Sequence, residues 1–254
     1  MGNLICEERD KALWIQINRP PLNIIDIPTA RELGDILETT RDNSHLHFIA
    51  LASAGDRAFS AGVDIKDHVP DRIDEMLSMV HRVFRLLTTL PQITIAKVRG
   101  LALGGGCELA TFCDFVVAAE SSTFATPEID VGCYPPVAVA EFPRRIGYQR
   151  SADMILTGRK VSAREALAMG LVSRVVPDEK LDQEVEELLR VLRGKSPSVL
   201  RITLQTLREV AHGDFESSLK LSERAYRDEL AKTHDMREGI ISFLEKRKPN
   251  WSGR

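Results

Sequence analysis

Gly100-Leu101-Ala102-Leu103-Gly104-Gly105-Gly106-Cys107-Glu108 follows an apolar run at residues 93–98 and opens a second apolar stretch. Glycines let backbone N–H groups approach a ligand closely, and a helix starting there aims unpaired N–H groups and its positive dipole end at the same point. That makes the turn a candidate anion site. Neither GxGxxG nor GxxxxGK[ST] spacing is present, so nothing in it specifies a pyrophosphate. A second turn of small residues, Phe59-Ser60-Ala61-Gly62-Val63-Asp64-Ile65-Lys66, also follows an apolar run and presents the Val63 N–H. Two donors from separate loops form an oxyanion hole, which stabilises charge developing on a carbonyl oxygen. Each piece alone also has a plain reading: a packed turn, an acid in a first helical turn at Glu108, a solvated carboxylate after Pro127 at Glu128.

The elements that must position these turns are legible in the hydrophobic pattern. Residues 11–18 alternate as a half-buried strand and run into Arg19-Pro20-Pro21-Leu22-Asn23, which no strand or helix continues through. Residues 29–41 read as a helix and 48–52 as a buried strand leading into a loop at 53–62. Ile73, Met76, Leu77, Val80, Phe84 and Leu87 recur at helical spacing and are expected in the core. Pro91 ends that helix. After the strand at 93–98 and the glycine turn at 100–106, strands are expected at 115–119 and 123–125, and Ser162-x-x-Glu165 is a capping box for a short helix ended by Gly170 before a strand at 171–176. Helices alone fill the chain from residue 179. The pattern predicts an α/β core over residues 1–195 and a helical segment over 196–254.

With 254 residues and a formal net charge of -3, the chain gives no global reason to bind nucleic acid or an anionic membrane. No apolar run is long enough to span a bilayer and no signal pattern opens the chain, so a cytoplasmic protein is expected. Cys6, Cys107, Cys113 and Cys133 lack CxxC spacing and no HExxH occurs, so neither metal nor disulfide is expected.

Together, Ala-Phe-Ser-Ala-Gly-Val-Asp-Ile-Lys, Gly-Leu-Ala-Leu-Gly-Gly-Gly-Cys-Glu-Leu-Ala and Phe124-Ala-Thr-Pro-Glu-Ile resemble the enoyl-CoA hydratase/isomerase (crotonase) family, in order and spacing, down to Glu238-Gly239-x-x-x-Phe243-x-Glu245-Lys246-Arg247. The resemblance implies a crotonase fold, a spiral of ββα units with a C-terminal helical oligomerisation segment, assembled as a homotrimer or homohexamer. It also implies an acyl-CoA substrate, with coenzyme A part of the substrate and no separate cofactor. The thioester oxygen would lie between the N–H groups of Val63 and Gly105, with Glu108 activating water and Glu128 delivering a proton at Cα. From residue types alone those two roles are interchangeable. Arg57, Ala61, Asp64, Ile65, Lys66 and Lys246 are implied near the coenzyme A portion, with Phe243 beside them in the tail.

The chain departs from the family where Gly132-Cys133-Tyr134-Pro135-Pro136-Val137-Ala138 replaces a glycine-rich stretch. This segment and Arg-Pro-Pro-Leu-Asn-Ile-Ile-Asp resemble the branch of cyclohexa-1,5-diene-1-carbonyl-CoA hydratases, which places Pro135 near the acyl end and implies a ring substrate. A double-bond isomerase and a non-catalytic binding member are the other readings the pattern allows.

Overall fold

The structure is a computed structural model that describes residues 2–211 and 213–254. Through residue 176 the chain runs β1 (Leu4–Arg9), β2 (Ala12–Ile17), α1 (Ile27–Arg41), β3 (Phe48–Ser53), β4 (Ala58–Ser60), α2 (Ile73–Thr89), β5 (Ile93–Val98), β6 (Leu101–Leu103) and α3 (Gly105–Phe112). It continues with β7 (Phe115–Ala119), β8 (Thr123–Ala125), α4 (Pro136–Arg145), α5 (Tyr148–Thr157), β9 (Val161–Ser162), α6 (Ala163–Met169) and β10 (Arg174–Val176). The helices α7 (Leu181–Arg193), α8 (Pro197–Val210), α9 (Phe215–Asp228) and α10 (His234–Leu244) follow. The chain divides into two compact units, one of Met1–Leu90 with Thr94–Val185 and the other of Pro91–Ile93 with Glu186–Arg254.

Among the described residues the strands form a large sheet in the order β1-β2-β3-β5-β7-β10 and a small one in the order β4-β6-β8-β9. Successive passes place a strand in the large sheet, a short strand in the small sheet, and then a helical segment: β3-β4-α2, β5-β6-α3, and β7-β8 with the 3-10 turn Pro127–Val131 leading to α4. This is the expected ββα spiral. The sequences of β3, β5 and β7 are almost continuously apolar because strands at the centre of a parallel sheet are covered on both faces.

The strands β4 and β6 lie where the sequence suggests only loop and turn. Three residues carry no readable periodicity, yet β4, β6 and β8 pair in parallel, and Phe59, Ala102 and Phe124 are fully buried in them. Helix α1 begins at Ile27 rather than Thr29, because Asp26 caps it by accepting from the Thr29 N–H. The final strand is confined to Arg174–Val176.

The Arg-Pro-Pro-Leu-Asn stretch forms a knot of hydrogen bonds. Asn23 is fully buried with φ 50°. Its amide donates to the carbonyls of Ala54 at 2.9 Å and Ala58 at 2.7 Å, and its carbonyl accepts from the Arg19 N–H. The next residues reach the Val63 turn: the Ile25 N–H donates to the Gly62 carbonyl, and the Ile25 carbonyl accepts from the Asp64 N–H. The peptides on both sides of Val63 are thereby fixed.

In the C-terminal unit Asp235 is fully buried and accepts from Ser196, Ser252 and Gly253, which together hold its carboxyl down at about 2 against the opposing effect of burial. Arg247 grips Glu238 through two nitrogens and also pairs with Glu245, so the Glu238-to-Arg247 motif is a clip that turns the tail. Several large apolar residues of this unit are exposed, Phe215, Phe243 and Leu244 most of all.

Replacing Asn23 with alanine leaves the carbonyls of Ala54 and of Ala58, the first residue of β4, without their donor. An expected loss of roughly 2–3 kcal/mol in unfolding free energy is measurable by urea denaturation, and a loss below about 0.5 kcal/mol would show that Asn23 does not hold the turn.

Candidate active site

The candidate segments all leave the same end of the small sheet. Val63 follows β4, Gly105 follows β6 and Glu128 follows β8, and those strands are parallel. Glu108 stands one turn into α3, on the helix opened by Gly104, whose φ of 52° suits a residue without a Cβ.

The glycines are fixed by proximity. A Cβ on Gly104 would lie 2.8 Å from Glu128 Oε1. On Gly105 it would lie 2.8 Å from Val63 Cγ2, 3.5 Å from the Val63 amide nitrogen and 3.9 Å from Glu108 Oε2. On Gly106 it would strike the Ser60 carbonyl oxygen at 2.4 Å. Two carboxylates and two amides thus crowd around one stretch of side-chain-free backbone. The Val63 and Gly105 N–H groups have no hydrogen-bond partner among the described residues, which leaves both available to an oxygen atom.

Glu108 is buried, and its Oε1 accepts from the Ala138 N–H at 2.8 Å. That donor belongs to the first turn of α4, so one helix N-terminus supports the acid borne by another. Pro135 and Pro136 make this possible. Proline suits the start of a helix because it presets φ and has no N–H to leave unpaired, and the first amides α4 offers are those of Val137 and Ala138. Pro136 lines the cavity beside the glutamates, whereas Pro135, expected near the acyl end, is buried and does not. The diproline thus starts a helix where the family carries a glycine-rich stretch.

Burial raises the Glu108 carboxyl from its ordinary 4.5 to about 7; the nearby Glu128 adds to the rise, and the Ala138 and Val137 amides oppose it. Burial raises Glu128 as well, and its Oε2 is buried with no hydrogen-bond partner among the described residues. Near neutral pH the pair retains a proton, so one acid and one base can coexist.

The cavity in front of these groups measures about 640 Å³, the size of a small-molecule site. Ala61, Gly62, Val63 and Ile65 line it on one side, and Val131, Cys133, Tyr134 and Pro136 come from the segment after Glu128. Ile73, Met76, Leu77 and Val80 of α2 also line it, which revises the expectation that this stripe serves the core alone. The stripe does both: Phe84 and Leu87, a turn or two further on, are buried core. His68 and His81 line the cavity too and were not singled out from the sequence; His81 follows Ile73 and Leu77 on one helical face, a spacing that could have marked it.

Of the other expected contacts, Arg57 and Lys66 are exposed, and neither lines the cavity. The Asp64 side chain accepts from the Lys66 N–H to cap a 3-10 turn. Lys246 belongs to the C-terminal unit, with φ 55° beside the exposed Phe243.

A carboxyl whose folded-state value exceeds its unfolded one contributes fully below the unfolded value, and the contribution is lost as pH rises through the folded one. Glu108 therefore weakens the fold progressively between about 4.5 and about 7. Glu108→Gln, which still accepts from Ala138, should gain stability over wild type by on the order of 1–3 kcal/mol when denaturation at about pH 8 is compared with about pH 5. Parallel pH profiles would exclude the buried, proton-holding pair.

The sequence profile of the enoyl-CoA hydratase/isomerase family matches residues 7–254. A crotonyl-CoA hydratase from Syntrophomonas wolfei is 32% identical, over 98% of this chain and 97% of its own. A short-chain-enoyl-CoA hydratase from Clostridium acetobutylicum is 30% identical, over 98% and 97%. The crystal structure of an enoyl-CoA hydratase from Bacillus anthracis superposes with a TM-score of 0.93 at 31% identity, covering 99% of this chain and 100% of that one. Fold, extent and identity agree, and the chain belongs to the enoyl-CoA hydratase/isomerase family.

Proposed function

We propose that this protein adds water across the double bond of an α,β-unsaturated acyl-CoA thioester. The observation that carries the reading is the crowding of two unpaired amides and two raised carboxyls around Gly104 and Gly105. The thioester oxygen accepts from Val63 and Gly105. As water attacks Cβ, electron density moves onto that oxygen, where the preorganised amides stabilise it more strongly than in the ground state. Glu108 takes a proton from water and Glu128 delivers one to Cα, with the roles exchanged in the reverse direction. What supports Glu108 as the base is the Ala138 N–H, which favours its charged form.

Ala61 and Ile65 at the cavity wall, with the exposed cations Arg57 and Lys66 nearby in sequence, support the placing of coenzyme A along that side. Asp64 contributes by shaping the turn, and Lys246 is proposed on the family resemblance alone. The exposed Phe215, Phe243 and Leu244 support burial between copies in a homotrimer, alone or paired as a hexamer. Among the described residues no helix is long and apolar enough to cross a membrane, and a cytoplasmic setting is proposed.

For the acyl group we propose a ring, cyclohexa-1,5-diene-1-carbonyl, on the likeness of the Cys-Tyr-Pro-Pro-Val-Ala and Arg-Pro-Pro-Leu-Asn segments to that branch. The proton then goes to a vinylogous carbon of the diene.

Glu108→Gln and Glu128→Gln should each lower kcat by roughly 10²–10⁴, and wild-type turnover in either would refute the two-carboxylate mechanism. In ¹⁸O-labelled water the product should carry the label, whereas a double-bond isomerase incorporates none. Comparing kcat/KM for crotonyl-CoA with cyclic mono- and dienoyl-CoA should favour the diene, and a preference for crotonyl-CoA would return the substrate to a plain chain.

A further inference from the structure

Helix α4 is fastened to α3 at both of its ends. At its start the Ala138 N–H donates to Glu108 Oε1 at 2.8 Å. At its other end Arg145 Nη1 donates to the Thr111 carbonyl oxygen, and Arg145 Nε pairs with Glu141 Oε1 at 2.8 Å. The Thr111 carbonyl is among the last four of α3, which have no N–H partner within the helix. Thr111 is buried, where an unpaired carbonyl is costly. The last turn of α3 carries no basic residue of its own, so Arg145 supplies the positive charge that suits that helix end. The Arg145 guanidinium also lies over Phe112, 5.8 Å from the ring centroid, and Phe112 packs edge-on against Phe84 of α2. These contacts leave 31% of the Arg145 side chain exposed. Arg144, beside it, is exposed and makes no such contact among the described residues.

Ala138, Phe142 and Arg145 share one face of α4, at i, i+4 and i+7. Ala138 and Phe142 are buried on it. Pro143 lies inside the helix and donates no bond to the Val139 carbonyl, so the last turn is joined to the first less firmly than in a regular helix. Released at Arg145, α4 can pivot about Phe142 and carry the Ala138 N–H away from Glu108. A hydrogen bond weakens steeply with misalignment, and Glu108 then loses a donor that favours its charged form. Arg145 does not line the cavity.

We propose that Arg145 is a positioning residue for the reaction: by holding the end of α4 on the Thr111 carbonyl, it keeps the Ala138 N–H on the Glu108 carboxylate. The inference rests on the reading of Glu108 as the base. Arg145 acts on the substrate only through that carboxylate.

Two variants test it. Arg145→Leu retains an apolar contact with Phe112, and Arg145→Lys retains the charge and one donor for the Thr111 carbonyl. The Glu108 carboxyl is titrated directly by ¹³C NMR of protein labelled at the glutamate carboxyl carbon, its signal identified by its loss in Glu108→Gln. In Arg145→Leu it should titrate about one pH unit higher than in wild type, as the weakening of one hydrogen bond to a charged acceptor allows. In Arg145→Lys the rise should be smaller, about 0.3 pH units, because an ammonium cannot reproduce the guanidinium fork. That variant decides the matter if Arg145→Leu does not fold. Since the base must be ionised, kcat of Arg145→Leu for an unsaturated acyl-CoA should fall about tenfold at about pH 6 and recover as pH rises. KM should change by less than about twofold, because the amides offered to the thioester oxygen stand on β4 and β6. A Glu108 carboxyl that titrates as in wild type in every variant that folds overturns the proposal, even if thermal stability falls. If the titration moves while the wild-type protein hydrates no enoyl thioester, the hydratase reading fails and the positioning of Glu108 by Arg145 stands.

Discussion

At residues 104–106 the backbone passes so close to its neighbours that a methyl group at any of the three positions would collide. This steric constraint governs the site. Gly106 lets α3 start against the end of β4, with the Ser60 carbonyl 2.4 Å from where a Cβ would be. Gly105 leaves the Val63 amide uncovered, and Gly104 leaves room for the Glu128 carboxylate. With larger side chains the strand ends would separate, and the carboxylates would gain the solvent that keeps an ordinary glutamate acidic. The raised proton affinities of the pair therefore follow from backbone packing as much as from the residues that titrate.

The second requirement is that this close approach be held in place. Asn23 ties the carbonyls of Ala54 and Ala58 at the entry to β4, Ile25 fixes the peptides flanking Val63, and the Ala138 amide of α4 holds Glu108. Each of these supports acts on the backbone or on a carboxylate through a directed hydrogen bond, and each lies in a segment rich in proline or asparagine. Such residues suit the purpose because their backbone freedom is small or their side chains can replace a missing peptide partner.

The large-scale plan was legible in the sequence where the pattern is long enough to repeat. The strands of the large sheet, the helix at 73–89 and the C-terminal helices are visible in their periodicity. The site was legible as two small-residue turns and two glutamates because glycine and carboxylate have few roles in an apolar setting. What the sequence did not disclose lies in short or long-range contacts. The three-residue strands β4 and β6 have no period of their own and exist because β8 pairs with them in one sheet. The bond from Ala138 to Glu108 crosses thirty residues and depends on where α4 begins. Likewise, nothing local distinguishes the α2 residues that face the cavity from those that face the core.

The origin of Val63, Gly105 and Glu128 on separate strand ends bears on how such a protein can diverge. In the proposed reaction the two amides offered to the carbonyl oxygen stand at the ends of β4 and β6, whereas one of the two carboxyls stands at the end of β8. Changing the loop after β8 would remove or relocate that group without disturbing the two unpartnered amides. Affinity for an activated carbonyl can thus be inherited intact while the fate of the resulting enolate is rewritten, and a single lineage can acquire several reactions by exchanging one loop at a time.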